Sequence, residues 1–329
     1  SHLPADIFAR YHRLRGNEVL MVSGTDSHGT PVTVRADAEQ STPLIVYEKY
    51  HRRFIELFVK LGITFDLYTS THTENHFKVS QDMFKALLDN GYLSREKQML
   101  LYSESEKRFL PDRYVEGTCP VCGFERARGD QCDNCQTLLD PIELINPRSK
   151  ISGSTNVEPR DTAHLFLKQP RMQERIRAWV DQSTEWPTLA RSIAYKWLDE
   201  GLIDRSITRD LAWGIKVTQN GKPRPGFEHK VFYVWFDAPI EYIAATVEWS
   251  EATGNDWQRW WREDKGGSDV TYVQFMGKDN VAFHTVSFPV TIMGSGEPWK
   301  LVDRLKAFNW VTWYGGKFST SEKRGIFMD

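Results

Sequence analysis

Four cysteines lie in one short part of the sequence, as two C-x-x-C pairs that nine residues separate. Four thiolates on two tight turns can occupy the corners of a tetrahedron, which is the geometry that Zn²⁺ accepts. Because four protein ligands leave no position for a catalytic water, we predict one structural zinc ion per knuckle, held by Cys119, Cys122, Cys132 and Cys135. An iron–sulfur cluster or a redox pair is the alternative for this spacing.

The composition of the chain limits the partners that it can have. No apolar run is long enough to cross a membrane as a helix, so we predict no membrane partner. The formal net charge is −2, which gives no strong basic field for nucleic acid, although a local basic surface remains compatible with it. Cysteines confined to one cluster with the spacing of metal ligands are typical of a reducing compartment, and we predict a cytoplasmic protein.

The order of apolar and polar segments predicts two kinds of architecture in one chain. Strand and helix patterns alternate in residues 1–91 and again in residues 205–329, which is typical of an α/β fold with a parallel sheet. Residues 92–204 instead contain short extended segments around the cysteines, followed by helices. We therefore predict an α/β domain in two parts, split by an inserted zinc-binding domain.

Residues 231–236 are β-branched or aromatic and predict a buried strand. Asp237 would end that strand, and Pro239 suits the first turn of a helix. Trp235, Pro239 and Tyr242 would then cluster at the carboxyl end of the strand, where ligands bind in open α/β sheets. A core strand that runs into a helix, without a ligand, is the simpler interpretation of this stretch alone.

A polar turn follows an early predicted strand at residues 19–22 and contains Asp26 and His28. A carboxylate at the end of a strand could hold a substrate ammonium group through a charge-assisted hydrogen bond. Alternatively, Asp26 caps the next helix or binds the backbone of the turn.

Two later segments suit phosphate groups. The turn at residues 277–280 follows a predicted strand at 270–276 and leads into a helix with His284 in its first turn. Residues 315–325 combine glycines, hydroxyl groups and three cations, which favours phosphate binding. A packed or solvated histidine and a solvated surface loop are the alternatives.

Taken together and in order, these motifs resemble those of the methionyl-tRNA synthetases, a family of class I aminoacyl-tRNA synthetases. Glu241 stands where glycine is frequent in that family. The matching segments are residues 24–31 (DxHGTP), 233–242 (YVWxDAPxxY), 277–279 with 283–284 (GKD and FH), 317–321 (KFSTS, resembling KMSKS) and the cysteine knuckle.

The resemblance implies a Rossmann-like class I synthetase catalytic domain with a connective-peptide insertion. The implied reaction is ATP-dependent activation of L-methionine, then transfer to the 3′-terminal adenosine of tRNA(Met), with Mg²⁺ accompanying ATP. The family's HIGH motif is expected before Ser1 and its anticodon-binding domain after the last loop, so we expect a catalytic fragment. A monomer is the favoured oligomeric state.

The resemblance also implies roles for individual residues. The second lysine of the family loop is replaced by Thr320, and we expect Lys323 or Arg324 to take over its phosphate contact. The implied methionine-binding residues are Asp26, Trp235, Pro239, Tyr242, Asn280, Phe283 and His284. The implied catalytic residues are Lys317, Arg209 and Asp279. The implied ATP-binding residues are Gly277, Lys278, Asp279, Lys317, Ser319, Thr320, Ser321 and Lys323.

Two other functions are compatible with parts of this pattern. A non-catalytic RNA-binding protein with a zinc knuckle would need the cysteine lobe but no ATP chemistry. Another class I synthetase would share the nucleotide motifs, but the insertion at residues 92–204 is smaller than the editing modules of the leucine, isoleucine and valine enzymes.

Overall fold

The computed structural model describes residues 1–111, 114–129, 132, 134–135, 139–318 and 324–327. The helices in these residues are α1 (His2–Leu14), α2 (Thr30–Ala38), α3 (Pro43–Leu61), α4 (Glu74–Asp89), α5 (Gln173–Gln182), α6 (Thr188–Glu200), α7 (Val234–Asp237), α8 (Glu241–Thr253), α9 (Gln258–Trp261) and α10 (Phe288–Gly294). The strands are β1 (Val22–Thr25), β2 (Leu67–Ser70), β3 (Leu93–Ser103), β4 (Arg108–Phe109), β5 (Val115–Thr118), β6 (Ala127–Arg128), β7 (Ile145–Ser149), β8 (Val157–Leu167), β9 (Arg205–Ser206), β10 (Thr208–Arg209), β11 (Thr218–Gln219), β12 (Lys222–Pro223), β13 (Val231–Phe232), β14 (Val273–Gly277), β15 (Arg304–Phe308), β16 (Thr312–Trp313) and β17 (Gly316–Lys317).

Two pairs of parallel strands form the α/β part of the molecule. β1 pairs with β2, from Val22 opposite Leu67 to Thr25 opposite Ser70. β14 pairs with β15 in the same parallel sense. Parallel strands need a long crossover connection, and α2 and α3 supply it for the first pair while α10 supplies it for the second. The α/β fold class predicted from the alternation is therefore confirmed.

The strands between α4 and α5 are antiparallel. β3 and β8 pair along their whole lengths, with Leu93 opposite Leu167 and Ser103 opposite Val157, and β4 and β9 flank them. The sequence predicts only short strands here; this is confirmed for β4 and β7 and wrong for β3 and β8, which have 11 residues each. The charged residues 95–97 are exposed on β3 and interrupt the apolar pattern without interrupting the pairing.

The molecule has a main hydrophobic core and a smaller one beneath the cysteines. The main core extends from Met83 on α4 to Leu305 on β15, and it includes Ile176 and Leu198 from α5 and α6. These two helices therefore pack with the α/β part, although they lie inside the predicted insertion. The small core surrounds Tyr114 and two of the thiol side chains. The exact division into domains stays a prediction.

The segment before Pro239 differs from its predicted form. Strand β13 ends at Phe232, and α7 begins at Val234, so the prediction of a strand through Phe236 is wrong. The rings of Phe232 and Phe236 lie 5.1 Å apart in the main core. Four residues of extended chain would separate them by about 13 Å. Burying both rings against each other therefore requires a helical turn, which overrides the strand propensity.

Candidate active site

A cavity of about 1230 Å³ opens beside the carboxyl ends of β1 and β14, and both strands contribute to its wall. Residues from distant parts of the chain meet there, including α1, the α7–α8 segment and the turn after β14. All seven residues predicted to bind methionine line this one cavity: Asp26, Trp235, Pro239, Tyr242, Asn280, Phe283 and His284. Their individual roles stay predictions.

One end of the cavity is aromatic. The rings of Trp235 and Phe283 stack with centroids 3.9 Å apart and planes at 13°. Tyr242 contacts His284, with its hydroxyl oxygen 2.8 Å from Nε2, and Nδ1 of the same ring lies 2.8 Å from the carbonyl oxygen of Asn280. A carbonyl can only accept, so we assign the proton to Nδ1, and Nε2 accepts from the tyrosine hydroxyl.

This aromatic end is uncharged. Burial lowers the pKa of His284, although its bond to the Asn280 carbonyl acts in the opposite direction. Burial also raises the pKa of the Tyr242 hydroxyl, and the repulsion of nearby carboxylates raises it further. Both rings are therefore neutral near pH 7. His284 lies on a π-helical turn, Phe283–Ser287, which is a frequent local distortion at functional sites.

Asp26 supplies a carboxylate to the same cavity. Its side chain is exposed there, and it accepts a hydrogen bond from the backbone N–H of His28. The pKa of Asp26 is raised to about 7, mainly because the surrounding protein desolvates the carboxylate and also because Asp237 repels it. Solvent that enters the open cavity screens both effects. Asp26 thus binds the turn backbone and also faces the cavity, so the two interpretations of the sequence are compatible.

A buried network of ionisable groups lies near Asp26, and the sequence motifs predict no role for it. Nδ1 of His28 lies 2.9 Å from Oδ2 of Asp237, and its Nε2 lies 3.0 Å from Nδ1 of His72. Nδ1 of His76 lies 2.9 Å from Oε2 of Glu241. The signal available in the sequence was a charged residue, Glu241, directly before the apolar residues 242–245 at the start of α8.

The charge of His76 gives the protein a testable pH dependence. Desolvation disfavours the imidazolium, but contacts with Asp237 and Glu241 outweigh it and raise the pKa of His76 to about 9. The resulting stabilisation is complete below the unfolded pKa, near 6.5, and is lost as the pH rises through about 9.

We therefore expect the free energy of unfolding to fall more steeply between about pH 7 and 9 in the wild type than in His76→Asn. Denaturant titrations of both proteins across this range measure the difference. The raised pKa of Asp26 affects stability mainly at lower pH, so it does not account for this slope. Parallel stability curves for the two proteins would contradict the assignment.

Of the three fully described residues predicted to bind ATP, Gly277 lines the cavity, whereas Lys278 and Asp279 do not. The ammonium of Lys278 stands over the ring of Trp310 at 4.0 Å, and Oδ1 of Asp279 accepts from the indole N–H of Trp310 at 2.8 Å. Trp310 precedes the β16–β17 hairpin, so it joins the turn after β14 to the last part of the chain. In the sequence, Trp310 lies in the largely apolar and aromatic stretch 307–314, to which none of the motifs assigns a role.

Arg209 lies at the end of β10. Its guanidinium stands over the ring of Tyr233 at 3.8 Å, and its Nη1 donates to the Thr208 carbonyl at 2.7 Å and to Ser206 Oγ at 3.0 Å. The side chain of Lys317 and all of Ser319, Thr320, Ser321 and Lys323 lie outside the described residues.

The four cysteines form one cluster. Their sulfur atoms all lie within 4.8 Å of one another, with Cys119 and Cys135 at 3.9 Å and Cys122 and Cys132 at 3.6 Å. Tetrahedral zinc with bonds of 2.3 Å to sulfur requires sulfur atoms about 3.8 Å apart. Asn134 also directs its amide towards Cys122 Sγ at 3.6 Å. The donor set and its spacing therefore suit a tetrahedral metal ion.

In the described part of the chain, no helix is long and apolar enough to cross a membrane. This agrees with the absence of long apolar runs in the sequence.

Comparison with known proteins gives matches over the whole chain. The family model "tRNA synthetases class I (M)" matches residues 1–329. The methionine–tRNA ligase of Maricaulis maris is 61% identical over 332 residues, which cover 100% of this chain and 58% of that protein. The methionine–tRNA ligase of Caulobacter vibrioides strain NA1000 / CB15N is 61% identical over 330 residues with the same coverage. The chain thus spans less than two thirds of the length of these relatives.

Solved structures support the fold. The Mycobacterium tuberculosis methionyl-tRNA synthetase bound by methionyl-adenylate superposes with a TM-score of 0.70 at 20% identity. The match covers 97% of this chain and 55% of that one. A second structure of the M. tuberculosis protein, in complex with methionyl-adenylate, also gives a TM-score of 0.70, at 22% identity. At this identity the likeness establishes the class I synthetase catalytic fold, as the sequence motifs predicted.

Proposed function

Because the chain belongs to the class I tRNA synthetase (M) family, we propose that it carries the amino-acid-activating site of a methionine–tRNA ligase. The observation that supports this most directly is that one cavity brings the Asp26 carboxylate together with the uncharged aromatic side chains of Trp235, Tyr242 and Phe283. Methionine has a cationic ammonium group and an apolar thioether; the Asp26 carboxylate suits the first, and the aromatic rings suit the second. Sulfur is polarisable and packs well against aromatic rings.

The proposed reaction needs no nucleophile from the protein. A carboxylate oxygen of methionine attacks the α-phosphorus of ATP, the bond to the β-phosphate oxygen breaks, and methionyl-adenylate and pyrophosphate form. The methionyl group then passes to the terminal adenosine of tRNA(Met), and AMP leaves. The protein contributes position and electrostatic stabilisation. In this proposal Asp26 binds the ammonium group, and the Trp235–Phe283 stack and the Tyr242–His284 pair enclose the side chain.

The nucleotide side of the site remains a proposal based on sequence motifs. Gly277, Lys278 and Asp279 would lie beside the adenosine, and the contacts of Lys278 and Asp279 with Trp310 support a fixed turn. Arg209 and the loop from Lys317 to Lys323 would approach the phosphates. Mg²⁺ bound with ATP would offset negative charge on the leaving pyrophosphate.

The four-cysteine cluster would hold one structural zinc ion in the same proposal. All four coordination positions would be thiolates, so the metal would stabilise the lobe and take no part in the reaction. We also propose a cytoplasmic, monomeric protein, in keeping with its thiol chemistry and its substrates.

The experiment is methionine-dependent exchange of pyrophosphate with ATP, measured on the full natural protein that contains this chain. We expect exchange with methionine and much slower exchange with leucine or valine. In Lys323→Ala, exchange should slow if this lysine contacts phosphate. Exchange with leucine or valine in place of methionine would indicate another class I synthetase. Absence of exchange with a folded, zinc-loaded protein would favour the RNA-binding alternative.

A further inference from the structure

Buried carboxylates hold the residues on both sides of Asp26. Glu241 lies against Gly24, two positions before Asp26, and an added Cβ atom at this glycine would overlap Glu241 Oε1. Two positions after Asp26, Nδ1 of His28 lies 2.9 Å from Oδ2 of Asp237. Both carboxylate side chains are buried. The carboxyl end of β1 is therefore fixed on either side of the residue that faces the cavity.

His76 on α4 connects these two carboxylates. Its Nδ1 lies 2.9 Å from Oε2 of Glu241, and its Nε2 lies 3.5 Å from Oδ2 of Asp237. The imidazole is 0% exposed. A buried carboxylate without a counter-charge is strongly unfavourable, so an imidazolium between the two carboxylates stabilises both. The arrangement links α4, α7, α8 and β1 through one side chain.

We propose that His76 and Glu241 are positioning residues for the Asp26 carboxylate. Their buried ion pair fixes the end of β1, and the imidazolium offsets the negative charge of Asp237, so that Asp26 can bind a substrate ammonium group in its ionised form. This inference rests on the proposed function, because it assigns Asp26 to the ammonium group. Glu241 departs from the glycine that is frequent in the family motif, so the pair is not part of that motif.

The electrostatic argument depends on all charges near Asp26 and His76. The charged and titratable groups around them are Asp237, Glu241, Glu248, His28 and Tyr242. Desolvation and Asp237 raise the pKa of Asp26, whereas the charge of His28, the backbone N–H of His28 and the positive charge of His76 lower it. Without the imidazolium, ionised Asp26 would form only at higher pH.

The test is the pH dependence of methionine-dependent pyrophosphate exchange in the full natural protein. In His76→Asn we expect the acidic limb of kcat/KM for methionine to move up by about one pH unit, which lowers kcat/KM about tenfold on that limb. KM for ATP should stay the same. In the double variant with Glu241→Gln, one cation and one anion are lost together, so the limb should return towards its wild-type position.

The matched control is His51→Asn. Nδ1 of His51 lies 2.8 Å from Thr25 Oγ1, beside β1, but in the described part of the chain His51 forms no ion pair. We expect its acidic limb to coincide with that of the wild type. A control that shifted as far as His76→Asn would mean that any disturbance near β1 has this effect, and it would overturn the electrostatic role.

The remaining outcomes separate this inference from the proposed function. An unmoved limb in His76→Asn, with a lower melting temperature, would indicate a purely structural ion pair and overturn the positioning role alone. A wild-type protein without methionine-dependent exchange would refute the proposed function and the positioning role with it. Should His76→Asn fail to fold, NMR titration of the His76 ring in the wild type decides: we expect a protonated ring at pH 8, and a neutral one would overturn the proposal.

Discussion

Replacement of Asp26 by asparagine is expected to lower kcat/KM for methionine about 30-fold or more, because removing one partner of a hydrogen-bonded charge pair costs about 2–5 kcal/mol. The amide has the shape of the carboxyl group and can still accept from the backbone N–H of His28. Removing the charge also removes repulsion by Asp237, so the variant should be at least as stable as the wild type. Initial rates of pyrophosphate exchange and thermal unfolding measure the two effects.

A carboxylate outside the cavity provides the control for this variant. Oδ2 of Asp37 accepts from the hydroxyl of Tyr114 at 3.2 Å, and Asp37 does not line the cavity. We expect Asp37→Asn to leave KM for methionine unchanged. Unchanged kinetics in Asp26→Asn as well would exclude Asp26 as the ammonium-binding group.

Replacement of Cys132 by serine is expected to release the metal ion and to unfold the chain around the cysteines, at residues 114–129 and 139–149. Zinc binding contributes about 10–16 kcal/mol in small zinc-dependent peptides, and the core beneath these thiols consists of few side chains. The main core contains none of the cysteines and no other residue of the segments around them, so it should stay folded. Metal analysis should show loss of one zinc ion per chain, and hydrogen exchange should increase in residues 114–129 and 139–149.

Val121 offers a matched control within the same turn. It lies between Cys119 and Cys122, and its side chain is 66% exposed. Val121→Ser should therefore keep the zinc ion and the exchange pattern of the wild type. A Cys132→Ser protein that retained one zinc ion per chain with unchanged exchange would contradict a four-thiolate structural site.

Features that depend on local order were predictable from the sequence. The metal cluster follows from the two-residue spacing within each cysteine pair, since such turns direct both thiols to one side. Asp26 comes directly after β1, and a residue at the end of a parallel strand lies at the edge where ligands bind. The alternation of strands and helices predicted the fold class for the same reason.

Features set by distant packing were not predictable in this way. His76 and Glu241 are 165 positions apart in the sequence, and the pattern of an amphipathic helix does not distinguish a packed histidine from one that bridges carboxylates. The short helix α7 also escaped prediction, because the contact between Phe232 and Phe236 outweighs the strand propensity of their neighbours. The side chains of Trp310 and Asp279 are likewise 31 positions apart in the sequence, and they meet only in the folded chain.

The two hydrophobic cores have different consequences for the order of folding during synthesis. The buried residues of the small core all lie between Leu101 and Leu144, so these side chains can pack together once this part has left the ribosome. The main core requires Leu305. At about 5–20 residues per second, the ribosome needs roughly 8–30 s to add the intervening residues. During that time the apolar side chains of α4, such as Met83, lack the later part of the main core to pack against, and chaperones can bind the exposed apolar surface of the nascent chain.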